Sequence, residues 1–205
     1  MMKKVIYSLK LILIMMMLWI TKMDVSAAEV IGTRTSKDYT YTLYDDGLLK
    51  MSRAETPNEE GLSLEYWNDT YTISRIEIEP GVESIGSGLF SRFNNLTEVV
   101  IPNTVVSIGD NAFSNCSSLV TVSIPNTVTS IGEGAFSFCG NLTTLSLPTT
   151  TLSIGKRAFT QCEKLDNVTI PDASSLGGGV FGYCSNLFNV IISDAKLQKI
   201  DADGN

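Results

Sequence analysis

Apolar residues between Ile78 and Ile192 return in one order at nearly fixed intervals. In the stretch that opens at Ile101 they fall at Ile101, Val105, Ile108, Ala112, Phe113, Cys116, Leu119 and Val122, and Ile124 opens the next copy. The spacing changes character along the unit. Phe113, Cys116 and Leu119 are three apart, as are Phe136, Cys139, Leu142 and Phe159, Cys162, Leu165. A three-residue period predicts a short 3₁₀-like corner, whose side chains at i and i+3 eclipse. From Val122 to Ile124 the period falls to two, which is strand spacing, and Pro125 ends the strand. Val106-Ser107-Ile108 predicts a second short strand, followed by a left-handed corner at Gly109.

Whole stretches of text repeat with this pattern. IPNTVVSIGDNAFSNCSSLVTVS from Ile101 returns as IPNTVTSIGEGAFSFCGNLTTLS from Ile124 and as LPTTTLSIGKRAFTQCEKLDNVT from Leu147. Looser copies begin at Ile78 and Ile170; the first four run 23 residues and the last has lost one before Phe181. Self-similarity at such a period marks a solenoid. A single unit cannot enclose its own apolar face, but neighbours stacked at roughly 4.8 Å per layer bury it as a continuous column. The chemistry of each column then follows from the alignment. Cys116, Cys139, Cys162 and Cys184 occupy one column, where the first copy has Phe93. That position asks for an apolar filler, so a ladder of reduced, buried thiols is expected. Disulfide distance alone does not exclude bonding between layers, although stacked parallel side chains seldom reach the required dihedral.

Five in-register copies carry a resemblance to leucine-rich repeats of the BspA-like, or Treponema pallidum, type. The residues that carry it are the I-P of Ile101-Pro102, the S-I-G of Ser107-Ile108-Gly109 and the A-F-x-x-C of Ala112 to Cys116, with their equivalents in the other copies. The resemblance implies a mainly β leucine-rich-repeat solenoid, a parallel sheet built from stacked repeats with short 3₁₀ or helical corners and an N-terminal β-hairpin cap. It also implies an adhesin-like, secreted or cell-surface protein that binds a host or cell-surface protein and has no catalytic activity.

The expected organisation is a leader over residues 1–28, a cap over 29–77, repeats over 78–192 and an incomplete sixth repeat or truncated terminus over 193–205. Lys3 and Lys4, the apolar run Leu11–Ile20 and the small residues Val25-Ser26-Ala27-Ala28 read as a cleavable secretory signal. That run falls short of the ~20 residues that span a bilayer. No second transmembrane segment is read from the sequence. Nor does a cysteine near the cleavage region indicate a lipid anchor. In the cap, Tyr39–Tyr44 and Leu48–Ser52 flank an Asp45-Asp46-Gly47 turn, a hairpin pattern. Arg53–Leu62 reads as a loop, Trp67 as aromatic bulk of the cap, and Tyr71–Ile78 as a strand leading into the first repeat.

Charge narrows the partners. The chain has 15 basic and 22 acidic residues; a leader ending at Ala28 takes Lys3, Lys4, Lys10, Lys22 and Asp24, leaving 11 and 21 and a net charge of −10. Nucleic acid and anionic membrane are poor partners for such a surface. Histidine is absent, which removes Ser-His and Cys-His catalysis and histidine metal sites. A glycosidase-type carboxylate pair survives that exclusion, but Glu98, Asp110, Glu133, Glu163 and Asp166 stand at scattered repeat positions and read as solvated surface. Asp201, Asp203 and Asn205 lack the rest of a calcium loop. Gly177-Gly178-Gly179 reads as a relaxed corner. The sequons at Asn68, Asn95, Asn115, Asn141 and Asn167 arise readily in repeats rich in Asn, Ser and Thr and receive no role. No catalytic residue, cofactor or metal is expected.

The remaining candidate is a surface. If Val122 and Ile124 point inward, their neighbours point outward. The outward columns hold Glu98, Thr121, Thr144, Asn167 and Asn189, and Val100, Ser123, Ser146, Thr169 and Ile191. Of these, Glu98, Thr121, Ser123, Thr144, Ser146, Asn167, Thr169 and Asn189 form the candidate ligand-binding face. It lacks the Trp, Tyr and Arg anchors typical of hot spots, so weak or multivalent binding is expected. Two other roles fit the same residues: a passive structural or assembly module of a larger surface protein, and a carbohydrate-binding accessory module.

Overall fold

The computed structural model describes residues 28–36, 38–54, 64, 72–151, 153–170 and 175–192. Among these residues the chain is strand and turn, with no helix. Fourteen strands are numbered in chain order. Nine form one sheet in the order β1 (Val30–Thr35), β2 (Tyr39–Tyr44), β3 (Leu48–Arg53), β4 (Arg75–Ile78), β6 (Glu98–Val100), β8 (Thr121–Ser123), β10 (Thr144–Ser146), β12 (Asn167–Ile170) and β14 (Asn189–Ile192). The other five, β5 (Ser84–Ile85), β7 (Ser107–Ile108), β9 (Ser130–Ile131), β11 (Ser153–Ile154) and β13 (Ser175–Leu176), form the second sheet. The expected mainly β solenoid with parallel sheets is what the chain builds. Each repeat gives one strand to either sheet, and equivalent residues of successive repeats face each other, as Thr121, Thr144 and Asn167 do.

Between the sheets lies one column of core per inward position. Val105, Ala112, Phe113, Cys116 and Leu119 and their equivalents in the next repeat, Val128 to Leu142, are completely buried. Phe90, Phe113, Phe136, Phe159 and Phe181 stack with successive centroids 5.4, 5.1, 5.3 and 5.7 Å apart. The four cysteines are free thiols. Each donates to the carbonyl of the phenylalanine one layer back: Cys116 to Phe90 at 3.2 Å, Cys139 to Phe113 at 3.3 Å, Cys162 to Phe136 at 3.4 Å and Cys184 to Phe159 at 3.2 Å. The thiol thus fills apolar volume while satisfying a buried carbonyl, a task for which phenylalanine has no donor.

The corners differ from the 3₁₀ expectation. Amides of Ala112, Ser114 and Cys116 do bond three residues back, to Gly109, Asn111 and Phe113. The intervening amides of Asn111, Phe113 and Asn115 instead donate to Glu133, Ala135 and Ser137 of the next coil. Such alternation requires left-handed residues, at Asn111 (φ 53°) and Asn115 (φ 62°), which no 3₁₀ helix contains. The corner is therefore a chain of turns that ties each coil to the next. Gly109 is not left-handed. It is glycine because a Cβ there would lie 2.6 Å from the Ser87 backbone nitrogen. Gly177 holds the equivalent place, 2.3 Å from the Lys156 nitrogen, and Gly179 is left-handed at φ 66°. Close approach thus requires glycine at Gly177, which corrects the reading of a relaxed corner there, while Gly179 shares its left-handed column with Asn111 and Arg157. Because Ser175 pairs with Ser153, the missing residue of this copy falls between Ile170 and Ser175.

The cap is a three-stranded antiparallel unit whose last strand, β3, pairs parallel with β4. The Asp45-Asp46-Gly47 turn forms as expected, with Gly47 at φ 81° and Asp46 Oδ1 accepting from the Leu48 amide at 3.0 Å. The outermost strand, β1, was not signalled by the hydrophobic pattern; its pairing register shifts between Val30 and Gly32, where Ile31 is the extra residue. Of the expected strand at Tyr71–Ile78, Arg75–Ile78 is strand and Tyr71 lies outside the described residues. Arg53 closes β3 instead of opening the loop. Residues 1–27, Trp67, most of the expected loop and residues 193–205, with the acids weighed for calcium, also lie outside the described residues.

Candidate binding face on the nine-stranded sheet

Parity along β6, β8, β10, β12 and β14 sets the face. In β8 the pattern is exposed Thr121, buried Val122, exposed Ser123, and β10 repeats it with Thr144, Leu145 and Ser146. All eight candidate residues, Glu98, Thr121, Ser123, Thr144, Ser146, Asn167, Thr169 and Asn189, are exposed. Ladder pairing aligns them in two columns, Glu98-Thr121-Thr144-Asn167-Asn189 and Ser123-Ser146-Thr169. Within a column the neighbours are one inter-strand spacing apart, roughly 4.8 Å. Asn189 Nδ2 donates to Asn167 Oδ1 at 3.0 Å, a rung of the first column. Beside it, the Thr97 and Thr143 hydroxyls donate to the Ser74 and Val120 carbonyls, tying the strand entrances to the preceding coil.

Both ends of the face carry residues that the sequence reading did not single out. Toward the cap, ladder pairing continues the columns into Arg75 opposite Glu98 and into Lys50 opposite Glu77, which is opposite Val100. These residues are paired: Lys50 Nζ lies 3.5 Å from Glu77 and 3.9 Å from Glu79, and Arg75 lies 3.3 Å from Asp46. Lys50 also lies over the Tyr44 ring, 5.8 Å from its centroid. The signal that finds them is the alternation Arg75-Ile76-Glu77-Ile78, which has the same parity as the repeat strands. Toward the other end the surface turns apolar, with Ile191 58% and Phe188 83% exposed. The face therefore grades from charged through neutral hydroxyl to apolar.

Chemically, such a surface offers hydroxyl and amide donors and acceptors, with Glu98 as the one carboxylate among the eight candidate residues. Among the described residues no group of three or more Cys, Asp and Glu is placed to hold a metal. No helix among them is long and apolar enough to cross a membrane.

Comparison with known proteins agrees with this geometry. A sequence model of the BspA type leucine rich repeat region matches residues 63–203 in six copies. Among crystal structures, a leucine-rich repeat protein from Eubacterium ventriosum superposes with a TM-score of 0.68 at 25% identity, over 82% of this chain and 45% of that one. The Treponema pallidum leucine-rich repeat protein gives 0.58 at 23% identity, over 78% and 71%. A leucine rich cell surface protein from Faecalibacterium prausnitzii gives 0.60 at 24%, over 81% and 41%. At the identities of the last two the likeness is one of fold. The chain spans less than half the length of the Eubacterium and Faecalibacterium proteins. No curated protein matches it.

Proposed function

The chain belongs to the BspA-type leucine-rich repeat family, and from that premise we propose that it is exported and binds a protein on a cell or matrix surface through the outward face of the nine-stranded sheet. Repeat solenoids of this kind generally serve as protein-binding scaffolds, because stacked coils expose a long uninterrupted surface. The observation that carries the reading is the alignment of Thr121, Thr144 and Asn167 with Ser123, Ser146 and Thr169 across adjacent strands. Export is supported by the leader-like text of Met1–Ala28 and by the description of the Faecalibacterium protein as a cell surface protein. The role is adhesin-like and involves no catalysis, a reading supported by the absence of histidine and by carboxylates that stand at scattered repeat positions.

Short hydroxyl and amide groups form modest contacts, so affinity comes from the number of rungs engaged. The test is a triple variant, Thr121→Lys, Thr144→Lys and Asn167→Lys, read by surface plasmon resonance against a panel of matrix and cell-surface proteins. Binding is expected to weaken by about tenfold or more, while Asn126→Lys, exposed on the turn after β8 and outside both ladder columns, leaves it unchanged. If the triple variant binds as the parent does, the face is passive and the repeats act as a spacer or assembly module. Binding on a glycan array, with none to the protein panel, would make the chain a carbohydrate-binding module.

A further inference from the structure

We propose that leader removal cuts the Ala28–Glu29 bond and that the Asp45 carboxylate receives the new α-ammonium of Glu29, pinning the outermost strand of the cap. The inference rests on the reading of Met1–Ala28 as an export leader. Two cuts fit the preference for small residues: before Ala28, after Val25-Ser26-Ala27, and before Glu29, after Ser26-Ala27-Ala28.

The two cuts differ in what they leave beside Asp45. The Glu29 backbone nitrogen donates to Asp45 Oδ1 at 2.9 Å, and the Asp45 amide donates to the Glu29 carbonyl at 2.9 Å. The two bonds close a ring at the entrance to β1, one residue before its first ladder pair, Val30 with Tyr44. In the uncut chain that nitrogen is a neutral amide. Hydrolysis by a leader peptidase of the exporting cell adds one water across the bond; Ala28 keeps the carboxylate and the Glu29 nitrogen leaves as a protonated amine. No other co-reactant is needed. The neutral hydrogen bond then becomes a charge-assisted one without any rearrangement. A cut before Ala28 would put the charge one residue further out and leave the Asp45 contact neutral.

Asp45 is available for the task. Its neighbour Asp46 is engaged by Arg75 at 3.3 Å and by the Leu48 amide, whereas Asp45 has no ion pair among the described residues. Both groups are exposed, so the gain is small. It falls, however, on β1, which pairs with the sheet only through β2 and has no ladder partner on its other side among the described residues.

The experiment expresses the full chain with its own leader in a Gram-positive secretion host and determines the exported N-terminus by intact mass and N-terminal sequencing. Glu29 is expected. An exported protein that begins at Ala28 or elsewhere overturns this inference and leaves the export reading standing; a cell-retained chain that keeps Met1–Ala28 overturns both. In the mature protein, pyridoxal-phosphate transamination then converts the α-amine to a ketone. Tm is expected to fall by about 1–3 °C in the parent and not at all in Asp45→Asn. Equal shifts in the two would refute the ion pair.

Discussion

Gly132 and Gly140 share one repeat and answer to different constraints. A Cβ on Gly132 would lie 2.5 Å from the Asp110 nitrogen and 2.6 Å from the Gly109 carbonyl carbon, backbone that cannot yield without parting the coils. One on Gly140 would meet nothing within 4 Å, and that residue is not left-handed. Gly132→Ala should therefore destabilise by roughly 1–3 kcal/mol, the usual cost of overpacking. Gly140→Ala should be neutral or stabilise by up to about 1 kcal/mol, through a less flexible unfolded chain. Urea denaturation of the two variants checks the pair, and equal losses would show that close approach does not select the glycine. The thiol column gives a second residue-scale expectation. Burial raises the Cys139 thiol from 9.0 to about 12, against a weaker lowering by the Cys116 backbone. Burial, then the charge at Cys139, pushes Cys116 well above its ordinary value. A raised thiol keeps its proton longer in the native state than in the unfolded one. Its stabilisation is therefore complete below the unfolded value and is lost as pH climbs from there toward the folded value. For Cys139 the window runs from 9.0 to about 12. Each such thiol should contribute a fall of about 1.4 kcal/mol per pH unit inside its window. Tyr41, raised by burial from 10.0 to about 12, adds to the loss at the upper end. Cys139→Ala will lower stability at neutral pH by leaving a cavity, but it should also flatten the alkaline slope by one thiol's share. Denaturation midpoints measured from neutral to alkaline pH separate the two effects, and an unchanged slope would mean that Cys139 ionises without penalty.

At the scale of elements, what could be read from the sequence was whatever left a trace in residue type. The period of two at Val122–Ile124 marks the strands because inward positions must be apolar, and parity then places Thr121 and Ser123 outward. The three-residue spacing of Phe113, Cys116 and Leu119 records which corner side chains point inward. It does not record the hand of the backbone between them. The left-handed column through the corners holds Arg92, Asn115, Phe138, Gln161 and Tyr183, five residue types with no common preference for that region. Inter-coil hydrogen bonds of the amides determine their φ, and amides are common to every residue type. Only the companion column, with Gly88, Gly134 and Gly179 among its members, shows a compositional hint. The outermost strand β1 escaped notice for another reason: four of its six residues, Val30, Ile31, Thr33 and Arg34, are exposed, so no alternation is required of it. The charged end of the candidate face was hidden because it belongs to the cap. Its alignment with the repeats depends on the pairing of Leu48 with Arg75, residues whose sequence neighbourhoods share no repeated text.

For the whole molecule, near-identity between coils has a consequence that a globular core does not share. Each coil buries the apolar face of its neighbour, and the neighbour's identity matters little as long as the columns meet. Excision of residues 124–146, one 23-residue unit, would bring β8 against β12. Thr121 would then face Asn167, Val122 would face Val168, Phe113 would stack on Phe159, and Gly109 would meet Gly155 at the close approach. The shortened chain should fold with the same circular dichroism per residue, a lower denaturation midpoint for the lost interface, and a smaller m-value for the smaller surface exposed on unfolding. Excision of residues 124–135 removes about half a unit and sets a corner against a strand, so that chain should fail to fold. The cap is the exception to interchangeability. Lys50 with Glu77 and Glu79, Arg53 with Glu83, and Arg75 with Asp46 all lie at the seam between the cap and the first coil. At the position of Glu77 the later repeats carry Val100, Ser123 and Ser146, so no other coil offers Lys50 the same partner. Exposed pairs of this kind are each worth about 0–1 kcal/mol, enough to choose between otherwise equivalent docking sites. An internal excision leaves the seam intact and should preserve the cap. If instead the 124–146 variant loses the cap strands from its protected amides in hydrogen exchange, the coils communicate over more than one interface, and nearest-neighbour stacking is too simple a description of this chain.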